Sequence, residues 1–300
     1  MQKAYVILAH KYPSQLFRLY KALNDELSSF FIHIDGKADV TKFQRLITDQ
    51  NVKWVDRVEA NWGEFSLVEA VLNLLNAVRD SRQKFDRIIL LSGQDYPIKS
   101  NHTINEYLRK SLQSNFIEYH SLPNAAKWKP NGGLYRVNKY FLGLRFAQRC
   151  KAKALNFLAM VFPQFQRQMP QGMKAYAGSM WWIIDEYSMN YILEYVKNNP
   201  DYVSFHKKTF AADELFFHMI LLNATDEKVR QSIVNDDKRF IKWKDINASH
   251  PEQLEEKHLE EIKNSDALFA RKFDITEDDE ILNLIELQRT RPTDERNQES

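Results

Sequence analysis

A single cysteine in 300 residues, Cys150, excludes an internal disulfide framework and points to a reducing compartment. Only eight glycines are present, and neither Gly-x-x-x-x-Gly-Lys nor Gly-x-Gly-x-x-Gly occurs, so the usual glycine-rich phosphate cradles are excluded. No apolar run reaches the ~20 residues that cross a bilayer. The opening Met-Gln-Lys-Ala-Tyr-Val-Ile-Leu-Ala is too short and weakly flanked for a secretory signal, so the expected location is the cytoplasm. No Cys/His cluster has zinc-ligand spacing, and neither Ser92 nor Ser179 lies in a nucleophile elbow. Carboxylates are absent from Tyr119 to Ile184, where ten Lys and Arg residues fall. An acidic region from Glu252 to Glu286 balances them, so net charge is only +2 and gives no overall field for nucleic acid.

What is present fits a soluble α/β protein. Ala4–Ala9, Phe30–Ile34, Val52–Val55 and Arg87–Leu91 are short apolar runs that read as buried strands. Between them, Leu16, Leu19 and Leu23 have helical spacing, as do Phe65, Val68, Val71, Leu72, Leu75 and Val78. Strands alternating with helices imply a mostly parallel sheet covered on both faces. Ligands of such sheets bind beyond the carboxyl ends of the strands. His10, Asp35, Trp62 and Asp95 follow expected strands and are expected to gather there. Residues 119–176 read as a basic, partly helical insertion into a single domain spanning 1–288, with a polar frayed tail at 289–300.

Thr209-Phe-Ala-Ala-Asp-Glu-Leu-Phe-Phe-His-Met-Ile-Leu221 is the densest candidate site. Asp213 sits where a helix is expected to begin and is placed to cap its first turn. Leu215, Phe216, Met219 and Ile220 then face the core, while Glu214 and His218 share the opposite face. Two readings stand at this point: a capped helix with a solvated acidic turn, or a carboxylate held for chemistry.

His33-Ile-Asp35 is not the Asp-x-Asp by which metal-dependent sugar transferases hold a diphosphate. Asp278-Asp279 reads as a helix cap. A diphosphate ligand would therefore need cationic side chains, and Arg271-Lys272 supplies a planar fork beside a movable point charge. The alternative is a solvated basic pair. Asp95 binds sugar hydroxyls or caps its turn; Trp62 and Trp181 belong to the site or to the core.

Seven segments in order resemble the core-2/I-branching β-1,6-N-acetylglucosaminyltransferases and peptide xylosyltransferases. They are Ile7-Leu-Ala-His-Lys11, His33-Ile-Asp35, Asn61-Trp-Gly63, Leu91-Ser-Gly-Gln-Asp-Tyr-Pro-Ile98, Gly178-Ser-Met-Trp181, Asp213-Glu-Leu-Phe-Phe-His218 and Phe269-Ala-Arg-Lys-Phe273. The resemblance covers about residues 5 to 285. It implies a GT-A-type, Rossmann-like nucleotide-sugar fold and an inverting, metal-independent transfer from a UDP-sugar, with no cofactor. Glu214 matches the family's base, and Arg271 and Lys272 its diphosphate site. His10, Asp35, Trp62 and Asp95 fall at the nucleotide-sugar pocket, and Glu118 and Trp181 at the acceptor. The chain departs from eukaryotic members in showing no anchor, stem or disulfides, which suits a bacterial surface-polysaccharide enzyme. It also lacks the arginine that branching enzymes place upstream of Ala-Arg-Lys; the local residues are Ala248-Ser-His-Pro251, leaving that work to Arg271.

The expected donor is UDP-N-acetylglucosamine, with UDP-xylose or another UDP-hexose as alternatives, and the acceptor a glycan or lipid-linked glycan. Phe216, Phe217 and Trp181 are expected to surround the base and raise its proton affinity. A non-catalytic sugar-nucleotide or glycan-binding module is the rival class; it would not need Glu214. Lys139 to Arg167 mixes apolar residues with cations and suits peripheral contact with the inner membrane face. The alternative there is that its apolar residues pack inside and its cations face water or an acceptor cleft.

Overall fold

A computed structural model describes residues 1–170, 172–245 and 250–290. Of the tail expected at 289–300, Arg289 and Thr290 belong to the helix Glu280–Thr290, with Arg289 buried, while 291–300 lie outside the described residues, as do Ala248 and Ser249. The chain forms two compact units, residues 1–54, 85–112 and 238–300, and residues 55–84 and 113–237. The basic segment 119–176 lies inside the second.

The first unit is built on four parallel strands in the order Val52–Trp54, Ser28–Ile34, Lys3–Ala9, Arg87–Ser92. The strand Lys3–Ala9 is buried along its whole length, as a central parallel strand covered on both faces must be. Its one cation, Lys3, is tied through Nζ to Asp25 at 2.6 Å and Asn105 at 2.6 Å. The helix Pro13–Leu23 begins with proline, whose missing N–H costs nothing there, and buries Leu16, Leu19, Tyr20 and Leu23. Register pairs Ala9 with Ile34 and Leu8 with Ser92, so the residues following all three strands emerge at one edge. A smaller sheet aligns Arg239–Ile241 with Phe269–Arg271 in parallel and Tyr96–Pro97 against the latter in antiparallel. The α/β class and parallel sheet expected from the alternating pattern are therefore observed.

In the second unit Asn115–Ile117 pairs in parallel with Ile233–Val234 and antiparallel with Trp182–Ile184. The helix Ser66–Asp80 buries Val68, Val71, Leu74, Leu75 and Val78, with Leu72 half-buried. The helix Phe216–Leu222 is enclosed on every side, since Phe216 through Leu221 are all buried. Helices Asn101–Lys110 in the first unit and Pro200–His206 in the second were not expected. The former offers only Ile104 and Leu108 to the core, too sparse a stripe to stand out, and is started by Ser100 accepting from the Thr103 N–H.

Candidate active site

In the first unit the strand ends carry a compact set of charges. His10 is exposed at the sheet edge. Partial desolvation, then the charges of Lys11 and Lys272, hold its pKa below the ordinary histidine value. Lys11 Nζ and the Tyr12 hydroxyl both donate to Asp274 Oδ2 at 2.9 Å. Burial pushes the Asp274 carboxyl up, but hydrogen bonds from Thr276, Lys11 and Tyr12 outweigh it and bring the pKa down to about 2. Asp35 is buried and accepts from the Lys37 N–H at 2.8 Å, with Lys37 Nζ at 3.1 Å. Burial and the nearby charges of Lys11 and Arg271 depress the Lys272 pKa.

Of the two readings of Asp95, the cap of its own turn is the one observed, and it is not placed to meet a sugar. It is fully buried, and its carboxylate holds the Ser92 N–H at 2.8 Å and hydroxyl at 2.9 Å. The same carboxylate faces Arg271 Nε at 3.2 Å. No surface remains for sugar hydroxyls; Asp95 orients the guanidinium instead. Its neighbour Gln94 donates to the Phe273 carbonyl at 2.9 Å and accepts from the Phe273 N–H at 3.0 Å. The Ser92–Pro97 turn thus grips the Arg271-Lys272 segment from both ends.

In the second unit Glu214 ends a short 3-10 turn, Ala212–Glu214, and the helix proper starts only at Phe216. Asp213 makes no capping bond. It is 6% exposed, and its Oδ1 has no partner among the described residues. The reason is Ala211, whose left-handed backbone (φ 50°) turns Asp213 inward. Glu214 is left partly exposed, and Arg136 Nη1 donates to its Oε2 at 2.5 Å. Arg136 is buried and stacks over Trp128, with its guanidinium 5.2 Å from the ring centroid. Burial opposes its charge, but Glu214 and Tyr135 together outweigh it and raise its pKa. Sequence reasoning missed Arg136; its only signal was a cation in a span without carboxylates.

Two further expectations are corrected here. His218 does not share a solvent face with Glu214. It is fully buried, its ring Nε2 lies 3.1 Å from the Glu118 carbonyl, and burial takes its pKa down to about 4. Phe216 and Phe217 do not sheathe the Glu214 carboxylate either. Phe216 packs against Phe65 and Tyr202, and Phe217 against Trp182.

Glu118 is tied to Lys127, to His120 at 2.9 Å and to the Ser179 N–H at 3.0 Å. Burial favours its neutral form, but Lys127 and His120 more than offset that and hold its pKa below the ordinary range. The Gly178 N–H donates to the Glu214 carbonyl at 3.0 Å, while a Cβ at Gly178 would collide with the Glu118 carbonyl. This glycine is thus the spacer joining the two acidic residues. Gly178→Ala is expected to lower stability by about 1–3 kcal/mol and to reduce turnover, read by thermal melting and steady-state rate. Unchanged values in both would contradict the spacer role.

Trp62 lies in the turn before the Ser66–Asp80 helix, well beyond the nearest strand. It is 51% exposed and packs edge-on to Phe210 at 5.4 Å. The carbonyl of Gly63 (φ +76°) accepts from the Ala211 N–H at 2.9 Å, and a Cβ on Gly63 would meet the Phe210 ring at 2.9 Å. The Asn61-Trp-Gly63 turn therefore rests on the residues that aim Glu214. Trp181 is 6% exposed and belongs to the core, leaving little ring surface for an acceptor.

Asp213 has a consequence for pH. Burial, then the charge of Glu214, pushes its pKa up to about 7. The unfolded chain releases this proton near the ordinary aspartate value of 3.8, so between those values the folded state binds more protons and stability falls as pH rises. Asp213→Asn removes that loss. Its melting midpoint relative to wild type is expected to climb from pH 4 to pH 8, and a constant offset would contradict the assignment.

Among the described residues, no three His, Cys, Asp or Glu side chains cluster as metal ligands. Three cations, Lys11, Arg271 and Lys272, lie close enough together for the charges of the first two to act on the third.

The family model described as Core-2/I-Branching enzyme matches residues 3–266. Xylosyltransferase 2 of Rattus norvegicus is 24% identical over 311 residues, covering 94% of this chain and 33% of that protein. Beta-glucuronosyltransferase GlcAT14B of Arabidopsis thaliana is 27% identical over 292 residues, covering 90% of this chain and 62% of that one. The chain thus spans about a quarter to a third of the length of the xylosyltransferases it matches. Among solved structures, mouse xyloside xylosyltransferase 1 in its apo form aligns over 89% of this chain and 97% of that one, at 10% identity and a TM-score of 0.38.

Proposed function

The chain belongs to the core-2/I-branching enzyme family, and on that premise we propose that it is an inverting glycosyltransferase using a UDP-sugar donor. The observation that carries the reading is Glu214: a partly exposed carboxylate, fixed by the buried Arg136 at the start of an enclosed helix. The ion pair satisfies the buried guanidinium, and the exposed side of the carboxylate is left to meet an acceptor hydroxyl. Glu214 takes the proton of the acceptor hydroxyl as that oxygen attacks the anomeric carbon, and UDP departs from the opposite face. Arg271 and Lys272 stabilise the negative charge that grows on the departing diphosphate. Arg271 is preorganised for this by Asp95, and Lys272 by the main-chain grip of Gln94 on Phe273. Preorganised cations take the place of a divalent metal, so the proposed reaction is metal-independent.

The proposed acceptor is a glycan hydroxyl, free or lipid-linked, in surface-polysaccharide or glycolipid synthesis. N-acetylglucosamine is the first proposed sugar, as in the branching half of the family. Xylose is the second reading, favoured by the xylosyltransferases among the relatives. A purely binding protein on this fold would retain the cations but have no use for Glu214.

The test is a panel of UDP-N-acetylglucosamine, UDP-xylose, UDP-glucuronate and UDP-glucose. One donor is expected to raise the melting midpoint and to release UDP on turnover, since a ligand selective for the folded state must stabilise it. Stabilisation without UDP release from any donor would favour the binding module.

A further inference from the structure

The helix Phe146–Val161 runs 16 residues, about 24 Å at 1.5 Å per residue, and buries only Ala152. Its underside is tied down by Asn156, which accepts from the Tyr140 N–H at 2.8 Å and donates to the Tyr140 carbonyl at 2.9 Å. An adjoining face carries Phe146, Cys150, Lys153, Phe157 and Val161 at intervals of three and four, one stripe along the helix. Phe146 is 83% exposed, Phe157 61% and Met160 73%. Leu144, Phe162 and Phe165 extend the apolar surface beyond both helix ends. Apolar surface of this extent on a soluble protein marks an interaction site.

The charges say which partner fits. Arg145, Arg149, Lys151 and Lys153 are all exposed, and none makes an ion pair among the described residues. On a helical projection Lys153 lies within the stripe, Arg149 borders it beside Met160, and Lys151 lies beyond its other edge. Arg167, by contrast, is used inside: it donates to the carbonyls of Arg136, Lys139 and Phe205 and to the Thr209 hydroxyl. A partner protein facing this stripe would need carboxylates on both sides of an apolar groove. An anionic lipid surface presents both demands at once, acyl chains beneath a negative headgroup layer. Phe141, Leu155 and Leu158 are partly covered, Phe141 against Phe210, whereas Leu144, Phe146, Phe157, Met160, Val161 and Phe162 do not pack inside.

We propose that this helix lies in the headgroup layer of an anionic membrane, with Phe146, Phe157 and Met160 inserted and Arg149, Lys151 and Lys153 paired to lipid phosphates. This brings the protein to acceptors that carry a lipid. The inference stands on the helix and not on the Glu214 reading, because lipid binding is read without donor or acceptor.

Cys150, the chain's one cysteine, sits in the stripe and accepts an environment-sensitive fluorophore without engineering. With vesicles of phosphatidylglycerol and phosphatidylcholine at low salt, the labelled protein is expected to co-sediment and shift its emission to the blue. Both signals are expected to fade as salt rises and to be absent with phosphatidylcholine alone. The triple variant R149Q/K151Q/K153Q is expected to partition on the order of a hundredfold more weakly. The variant F146S/F157S/M160S is expected to lose the emission shift, with melting midpoints unchanged in both. Glu214→Gln is expected to bind like wild type. No co-sedimentation of unlabelled protein, equal binding to neutral vesicles, or a dimer that the Phe/Met variant dissolves would overturn the proposal.

Discussion

Glu214→Gln is expected to cut turnover by roughly 10²–10⁴-fold, the usual contribution of a general base, while binding of the UDP-sugar is retained. The substitution is chosen for what it leaves in place. A glutamine carbonyl still accepts from Arg136, so the buried guanidinium keeps its partner and the turn keeps its shape. The Gly178 N–H still reaches the main-chain carbonyl at 214. Only the capacity to take a proton is lost. Donor hydrolysis and transfer are measured against donor affinity from melting shifts. A folded variant that keeps more than about a tenth of wild-type turnover would sink the assignment of Glu214 as the base.

The double substitution Arg271→Ala and Lys272→Ala is expected to lower turnover by about 10²–10³-fold, the scale seen when charge-stabilising donors are removed. It also weakens UDP binding, because both charges act on the diphosphate before and during departure. Added EDTA, in contrast, is expected to leave the wild-type rate unchanged. The two arms bear on one point, whether fixed cations or a divalent ion carry the leaving group. Strict dependence on Mn²⁺ or Mg²⁺, with the double variant still active, would contradict it. Arg271→Ala strips the partner from a buried Asp95, so its melting midpoint must be followed alongside.

How much of this was visible in the residues depends on the range of the interactions. Ala4–Ala9 and Arg87–Leu91 were legible as strands because a central parallel strand is apolar throughout, and no tertiary detail changes that. Placing His10 and Asp35 after the strands followed from parallel topology alone. The core faces of Leu215, Phe216, Met219 and Ile220 were legible from spacing, and all four are buried. The expected cap at Asp213 failed because a left-handed Ala211 and a 3-10 turn delay the helix by two residues. Local propensity carries no sign of that. Arg136 lies 78 residues from Glu214, and Gln94 lies 179 from Phe273; pairings at such separation leave no periodic mark. Trp62 and Trp181 looked alike in sequence, yet one is 51% and the other 6% exposed, a distinction that only packing makes.

The central claim is an inverting, metal-independent transfer, and the anomeric configuration of the product tests it most directly. Wild-type protein is incubated with EDTA, an acceptor glycan and the UDP-sugar that the panel selects, and the new linkage is read by NMR from its anomeric coupling. The account predicts a β-linked product from the α-linked UDP-sugar, formed at an unchanged rate in EDTA and absent with Glu214→Gln. An α-linked product, or no product until a divalent metal is restored, would contradict it.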